Sequence, residues 1–204
     1  MRTVLITKEI FTFNELSDDA KDKVRDWLTQ DLYYEFCYED FERVGAIMGI
    51  TIETRAVKLM NGKVRYDPCI YWSGFYHQGS GLAFNGDYRY AKGAVKAMKA
   101  ETNDTELIRI AQALQDVQRK HFYRLGASIS NNRDTDIRVE VFDREDYCRD
   151  IGDAEEEVRG LIKDFAQWCW CSLRDEYEYH CSEEVIAETC MANGYEFDED
   201  GMIQ

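Results

Sequence analysis

Three turn-forming clusters divide the middle of this chain, and each lies between short runs of alternating apolar and polar residues. They are Asn61-Gly62, Gly79-Ser80-Gly81 and Asn131-Asn132. Asn-Gly is the strongest short-range hairpin signal, and glycine supplies the positive φ angles of a tight reversal. The flanking runs predict three antiparallel hairpins: Ile50–Leu59 returning through Lys63–Tyr66, Ile70–Tyr76 against Leu82–Phe84, and Ala127–Ser130 against Asp136–Phe142. Thr3–Phe13, rich in β-branched and aromatic residues, reads as a further strand.

Helical periodicity brackets the hairpins. Ala20, Val24, Trp27 and Leu28 predict a helix from Ser17, its N-cap, to about Leu32, with Asp18 and Asp19 in the first turn, where the helix dipole favours acids. Glu39–Met48 closes at Gly49, and Thr105–Leu125 is expected to stop at Gly126. The longest helix follows Asp153 and carries Val158, Leu161, Ile162, Phe165, Trp168 and Leu173 to about Glu178. Ser182 opens a short one, Glu183–Ala192, before an extended Tyr195–Phe197 and an acidic turn, Asp198–Gly201. The class is α+β, an antiparallel sheet built from hairpins packed against four or five helices. With one proline, Pro68, and no repeat or Pro-rich linker, residues 1–204 read as a single α+β domain.

Charge is distributed unevenly. The net charge is −15, and Asp136–Gln204 holds 21 acids against 6 bases. Arg43–Asp134 carries 14 bases against 8 acids, and Ser17–Glu42 has 9 acids against 3 bases. Such a division acts on partners rather than on fold. An acidic face repels phosphate and attracts the basic clefts of proteins that bind it. The middle does join bases to aromatics, with Arg65, Tyr66, Arg89, Tyr90, Lys92, Lys96 and Lys99, a composition suited to nucleic acid. Its excess is outweighed by the acids on either side, so no direct nucleic-acid partner is expected. The basic middle is expected to pair with the acidic ends, within the fold or across a homodimer.

Other chemistry is weakly signalled. Apolar content of 45% and aromatic content of 13% belong to a folded chain. The seven cysteines, an odd number, read as free and mostly buried thiols of a reducing cytosol. No run approaches the length of a membrane span. Cys169 and Cys171 are two apart on a helix, which points them to different sides, so no metal site is expected. Asp198-Glu199-Asp200-Gly201 lacks the later ligands of a calcium loop. His77 lies in the glycine-rich hairpin, yet no nucleophile or orienting acid is identifiable for it by spacing. The glycines there match neither GxGxxG nor a Walker A loop. No catalytic residue and no cofactor is assigned.

Three stretches carry a resemblance. Phe13 to Lys21 reads F-x-E-L-S-x-x-A-K with Trp27 beyond; Ser73–Gly86 reads S-G-F-x-x-Q-G-x-G-x-x-F-x-G; and Glu176–Tyr179, E-Y-E-Y, precedes N-G-Y-E-F-x-E-D-G at Asn193–Gly201. Together they resemble a family of small acidic accessory proteins of tailed-phage genomes, some labelled antitoxin-like. The resemblance transfers no catalytic residue. It implies a setting, the cytoplasm of an infected bacterial host, and a mode of action in which carboxylates imitate phosphate and occupy the nucleic-acid-binding surface of a host defence factor or toxin. The expected contact residues are Glu155, Glu156, Glu157 and Asp164 of the long helix, with Glu183, Glu184 and Glu188 of the short one. The alternatives are a small enzyme using His77 or His121 as base, and a structural or scaffold dimer.

Overall fold

Three consecutive β-segments of the middle region each change partners halfway along, and this exchange organises the fold. The computed structural model describes residues 8–30, 32, 34–132 and 135–204. In it β1 (Ile50–Ile52) continues through Glu53 into β2 (Thr54–Lys58). Likewise β3 (Val64–Pro68) passes through Cys69 into β4 (Ile70–Ser73), and β5 (Gly81–Phe84) through Asn85 into β6 (Gly86–Arg89). β2 pairs with β3, β4 with β5, and β6 with β1, all antiparallel. The three pivots close a ring of hydrogen bonds. Glu53 N–H donates to the Asn85 carbonyl (2.8 Å), Asn85 N–H to that of Cys69 (2.9 Å), and Cys69 N–H to that of Glu53 (2.7 Å). Each pivot thus donates once and accepts once, so the exchange leaves no backbone group of the ring unpaired.

β6 leads into a four-stranded antiparallel sheet of order β1-β6-β7-β8, completed by β7 (Leu125–Asn131) and β8 (Ile137–Asp143). Gly86 sits opposite Ile52 on one side and Ile129 on the other. A Cβ there would lie 2.0 Å from the Thr51 carbonyl oxygen, so the strands cross closer than any side chain permits. The Asn85 carboxamide oxygen accepts from Asn131 N–H (2.9 Å), tying the ring of pivots to β7.

By internal contacts the chain forms two compact units, a larger one (Tyr34–Leu173) and a smaller one (Met1–Tyr33 with Arg174–Gln204). Among the described residues the larger contains the eight strands together with α2 (Glu35–Met48), α3 (Ala94–Glu101), α4 (Thr105–Lys120) and α5 (Ala154–His180) as far as Leu173. Its core buries Phe41, Met48, Ile50, Phe84, Tyr88, Ile110, Leu125, Ile162 and Phe165, each contributing about 1.5–3 kcal/mol by leaving water. Phe84 meets Phe165 edge-on at 5.8 Å, and Phe41 meets Trp168 at 5.7 Å. Asp104 serves two elements at once. One carboxylate oxygen caps α4 at Glu106 N–H (2.8 Å), and the other accepts the Trp168 indole N–H (2.9 Å).

The smaller unit holds a 3-10 turn (Phe13–Glu15), α1 (Asp18–Thr29) and α6 (Glu183–Asn193). Phe13, Leu16, Ala20 and Val24 pack against Ile186, Cys190 and Phe197. Ser17 and Ser182 cap the two helices as expected, and Asp198 accepts from Asp200 and Met202 N–H groups in the acidic turn. Of the strand expected over Thr3–Phe13, residues Thr3–Thr7 lie outside the described residues. The remainder forms one bridge, Phe11 with Phe197, before entering the 3-10 turn.

Six α-helices and antiparallel hairpin sheets among the described residues make the fold α+β. All three predicted hairpins are present. α2 begins at Glu35, four residues before its expected start. α4 ends at Lys120, short of Leu125, because Phe122 and Tyr123 take positive φ angles (54° and 62°). The fully buried Gln118 stabilises that break. Its side-chain amide donates to the Leu125 carbonyl (2.8 Å) and to Tyr88 Oη (3.2 Å), and its oxygen accepts Leu125 N–H (3.2 Å). Gly126, expected to end the helix, lies instead in β7. Among the described residues no helix is long and apolar enough to cross a membrane.

Candidate functional site

The acidic residues divide by unit. The smaller unit contains 17 acids and 6 bases, the larger 23 acids and 19 bases. The acid excess of the final third therefore belongs chiefly to the smaller unit. After Arg174 the chain has ten carboxylates and no Lys or Arg.

The seven expected contact residues fall in both units. In the larger, Arg159 pairs with both Glu155 and Glu156 at the start of α5, and its Nε reaches the Val139 carbonyl on β8 (3.4 Å). Glu157 pairs with Lys120 (3.5 Å), and Asp164 with Arg109, whose guanidinium also holds Glu106 (2.7 Å). All four of these carboxylates have a cation of their own fold beside them. In the smaller unit Lys21 donates to Glu183 (2.7 Å), and this hydrogen bond, with the lysine's charge, holds the Glu183 carboxyl below its ordinary range. Glu184 and Glu188, one helical turn apart on α6, are exposed and form no ion pair among the described residues. Glu196 and Glu199, which are not among the expected contact residues, are likewise exposed and free of ion pairs there.

A groove of about 300 Å³ opens in the same unit, lined by Phe13, Asn14, Ala187, Met191, Tyr195 and Glu196 among others. Met191 is 79% exposed beside it. This places apolar surface next to uncompensated carboxylates, a combination that accepts the long stems and charged heads of Lys and Arg.

His77 lies in a different setting, in the larger unit. The Gly74–Gly79 loop and the far end of the β7–β8 hairpin enclose a cleft of about 760 Å³, lined by Trp72, His77, Gln78, Asn132 and Asp136 among others. The walls are pinned: Thr135 Oγ1 donates to the Gly79 carbonyl (3.0 Å), and the Trp170 indole donates to that of Gly74 (3.2 Å). Trp72 stacks on Phe75 at 5.0 Å and donates to Tyr38 Oη (3.0 Å). Among the described residues, no carboxylate pairs with the His77 or His121 imidazole. The histidine that does have an acid partner is His180, 2.8 Å from Glu176.

Among the described residues no group of three His, Cys, Asp or Glu side chains is placed to hold a metal. All seven cysteines are free, and burial pushes the Cys169 thiol well up. The strongest perturbation of an acid is at Asp143, whose carboxyl is drawn down to about 2 by the Glu145 backbone N–H and by Arg124. Arg149 adds a second guanidinium at 3.2 Å. No sequence pattern marks this cluster, because its members come together only where β8 ends beside the start of β7.

No curated protein and no solved structure gives a significant match. A family model matches residues 33–183, which takes in the whole larger unit and stops at the first residue of α6. The chain therefore belongs to the family described as Domain of unknown function (DUF8835).

Proposed function

We propose that this protein is a non-enzymatic accessory protein that binds a basic, nucleic-acid-acting protein of a bacterial host and neutralises it, with the acidic smaller unit as the contact. The observation that carries the reading is the set of ten carboxylates with no Lys or Arg after Arg174. The resemblance of the three motif stretches to tailed-phage accessory proteins supplies the setting. Of the seven carboxylates expected from sequence, Glu184 and Glu188 lead this reading, because among the described residues no cation pairs with them. Glu196 and the groove beside Met191 extend the surface. Long-range attraction of this kind raises association rates and weakens with salt.

The test is capture of host proteins on the immobilised full chain, followed by kinetics with each purified candidate. The expected partner is a basic nucleic-acid-binding protein whose association slows at least tenfold between about 50 and 500 mM NaCl. Glu184→Gln with Glu188→Gln should slow association further while leaving the fold unchanged. Association that ignores both salt and these substitutions would reject the electrostatic contact.

A further inference from the structure

The β2–β3 ribbon is an arm. From Thr54 to Tyr66 every residue is exposed except the half-buried Val57, so both faces of the two strands are solvated. An isolated two-stranded hairpin is marginal in water, and this one is fixed at its root by the ring of pivots at Glu53, Cys69 and Asn85. Outward of Asp67 the arm's charged residues are all basic. Arg55, Lys58, Lys63 and Arg65 lie between Glu53 and Asp67 with no acid among them.

The pairing register distributes these charges on both faces. Val57 opposes Arg65 and Leu59 bonds to Lys63, so Arg55, Lys63 and Arg65 share one face. Lys58, Val64 and Tyr66 share the other. A flat anionic surface such as a membrane would engage one face and leave the other idle. A groove walled by phosphate on both sides engages both. The B-DNA major groove, about 12 Å wide, admits a two-stranded ribbon, whereas the A-form RNA major groove is too narrow and deep to be read. The tip carries Met60, fully exposed, on a three-residue loop closed by the Gly62 N–H to Leu59 carbonyl bond (2.9 Å). An apolar tip between cationic strands suits contact with base edges once the phosphates are engaged.

We infer that the β2–β3 arm of the larger unit binds duplex DNA by entering its major groove. The summed charge of −15 argues against such a partner only if it acts at the tip. Lys58 lies about 13 Å out from Thr54, four strand steps of about 3.3 Å, beyond the Debye length of about 8 Å at 0.15 M salt. At the tip the local bases Lys58 and Lys63 therefore decide, whereas nearer the root Glu35, Glu39 and Glu42 of α2 line a groove with Arg65 and Tyr66. Arg65 is occupied by Glu35 (2.8 Å) and Asp67 (2.6 Å), which leaves Arg55, Lys58 and Lys63 for phosphate. Three such contacts predict weak, non-specific binding with a log–log salt slope of about −2.7.

The experiment is fluorescence anisotropy of the full chain on a labelled duplex of about 20 base pairs, between about 50 and 200 mM NaCl. It is compared with the variant Arg55→Gln/Lys58→Gln/Lys63→Gln and with Met60→Ser. Because these side chains are solvated, an unchanged unfolding transition certifies both variants. The triple variant should lose at least tenfold in affinity, and Met60→Ser severalfold. Glu184→Gln with Glu188→Gln should leave duplex binding intact, which separates this site from the acidic contact. The inference is overturned by no binding at the lowest salt, by equal binding of the triple variant, by equal affinity for a single strand of the same length, or by tighter binding to vesicles rich in phosphatidylserine.

Discussion

The β2–β3 and β4–β5 ribbons spring from the same ring of pivots and have similar strand lengths, yet one is clothed and the other bare. β5 presents Leu82, Ala83 and Phe84, all buried, and β4 carries Trp72 into a stack with Phe75. β2 and β3 present Arg55, Lys58, Lys63 and Arg65, all exposed, and of these Arg65 reaches Glu35 of α2. Backbone pairing is the same in both, so pairing does not decide which ribbon enters the core. Side-chain transfer free energy does, since an apolar residue gains by burial what a lysine would lose. The bare ribbon is the part of this sheet system left available to something outside the chain.

The contrast breaks most visibly at glycine. Gly86→Ala places a methyl 2.0 Å from the Thr51 carbonyl, with Ile52 and Ile129 as cross-strand neighbours. Backbone cannot yield there without separating β1 from β6, and the expected loss exceeds about 4 kcal/mol. Gly62→Ala, at the arm tip with φ +81°, meets nothing within 4 Å. Its cost is limited to the left-handed conformation, about 1 kcal/mol. Urea unfolding followed by near-ultraviolet circular dichroism measures both. Equal costs at the two positions would mean that the arm is packed, or that the crossing is not close.

How much of this was legible in the sequence follows from the range of each interaction. Asn61-Gly62, the Ser17 and Ser182 caps and the Gly49 stop act over a few residues, and each works where the sequence placed it. The exchange of partners at Glu53, Cys69 and Asn85 depends on pairs more than thirty residues apart, such as Ile50 with Tyr88, and no local pattern encodes it. The early end of α4 escaped for the same reason, since Gln118 acts by reaching Leu125 and Tyr88. For the candidate contact, the acidic composition was legible, but its neutralisation was not. Glu155 and Glu156 look available until Arg159 is seen between them. Arg65 and Tyr66 were legible as part of a basic, aromatic middle, but the arm was hidden, because exposure on both faces is a property of the fold.

Acid should act on the sheet and spare the arm. The Asp143 carboxyl, held at about 2 by the Glu145 N–H and Arg124, titrates near 3.9 once unfolded. Its folded value is the lower one, so its stabilising contribution is complete above about pH 4 and is lost as pH falls through about 2. The urea midpoint of the larger unit should fall across that window, and Asp143→Asn should flatten that part of the profile. The arm carries no acid between Glu53 and Asp67, and its solvated ladder should keep the same amide exchange rates, corrected for intrinsic chemistry, over the same range. A profile unchanged by Asp143→Asn would remove this cluster from the account of the sheet.

Excising the arm should change stability least of all. Arg55 and Asp67 are cross-strand partners, so an Asn-Gly turn joining them can replace Ala56–Tyr66 and still close the ladder at its root. The removed residues include one half-buried side chain, Val57, and the exposed pairs of Arg65 with Glu35 and Asp67, which add little in water. Loss of such surface features is worth within about 0.5 kcal/mol, a shift of roughly 1–2 °C in the thermal midpoint for a domain of this size. The shortened chain should melt with the parent and fail to bind duplex DNA. A fall of ten degrees would instead make the ribbon a strut of the fold. Its bases would then be there to keep a structural hairpin soluble, and the difference between the two ribbons would concern stability alone.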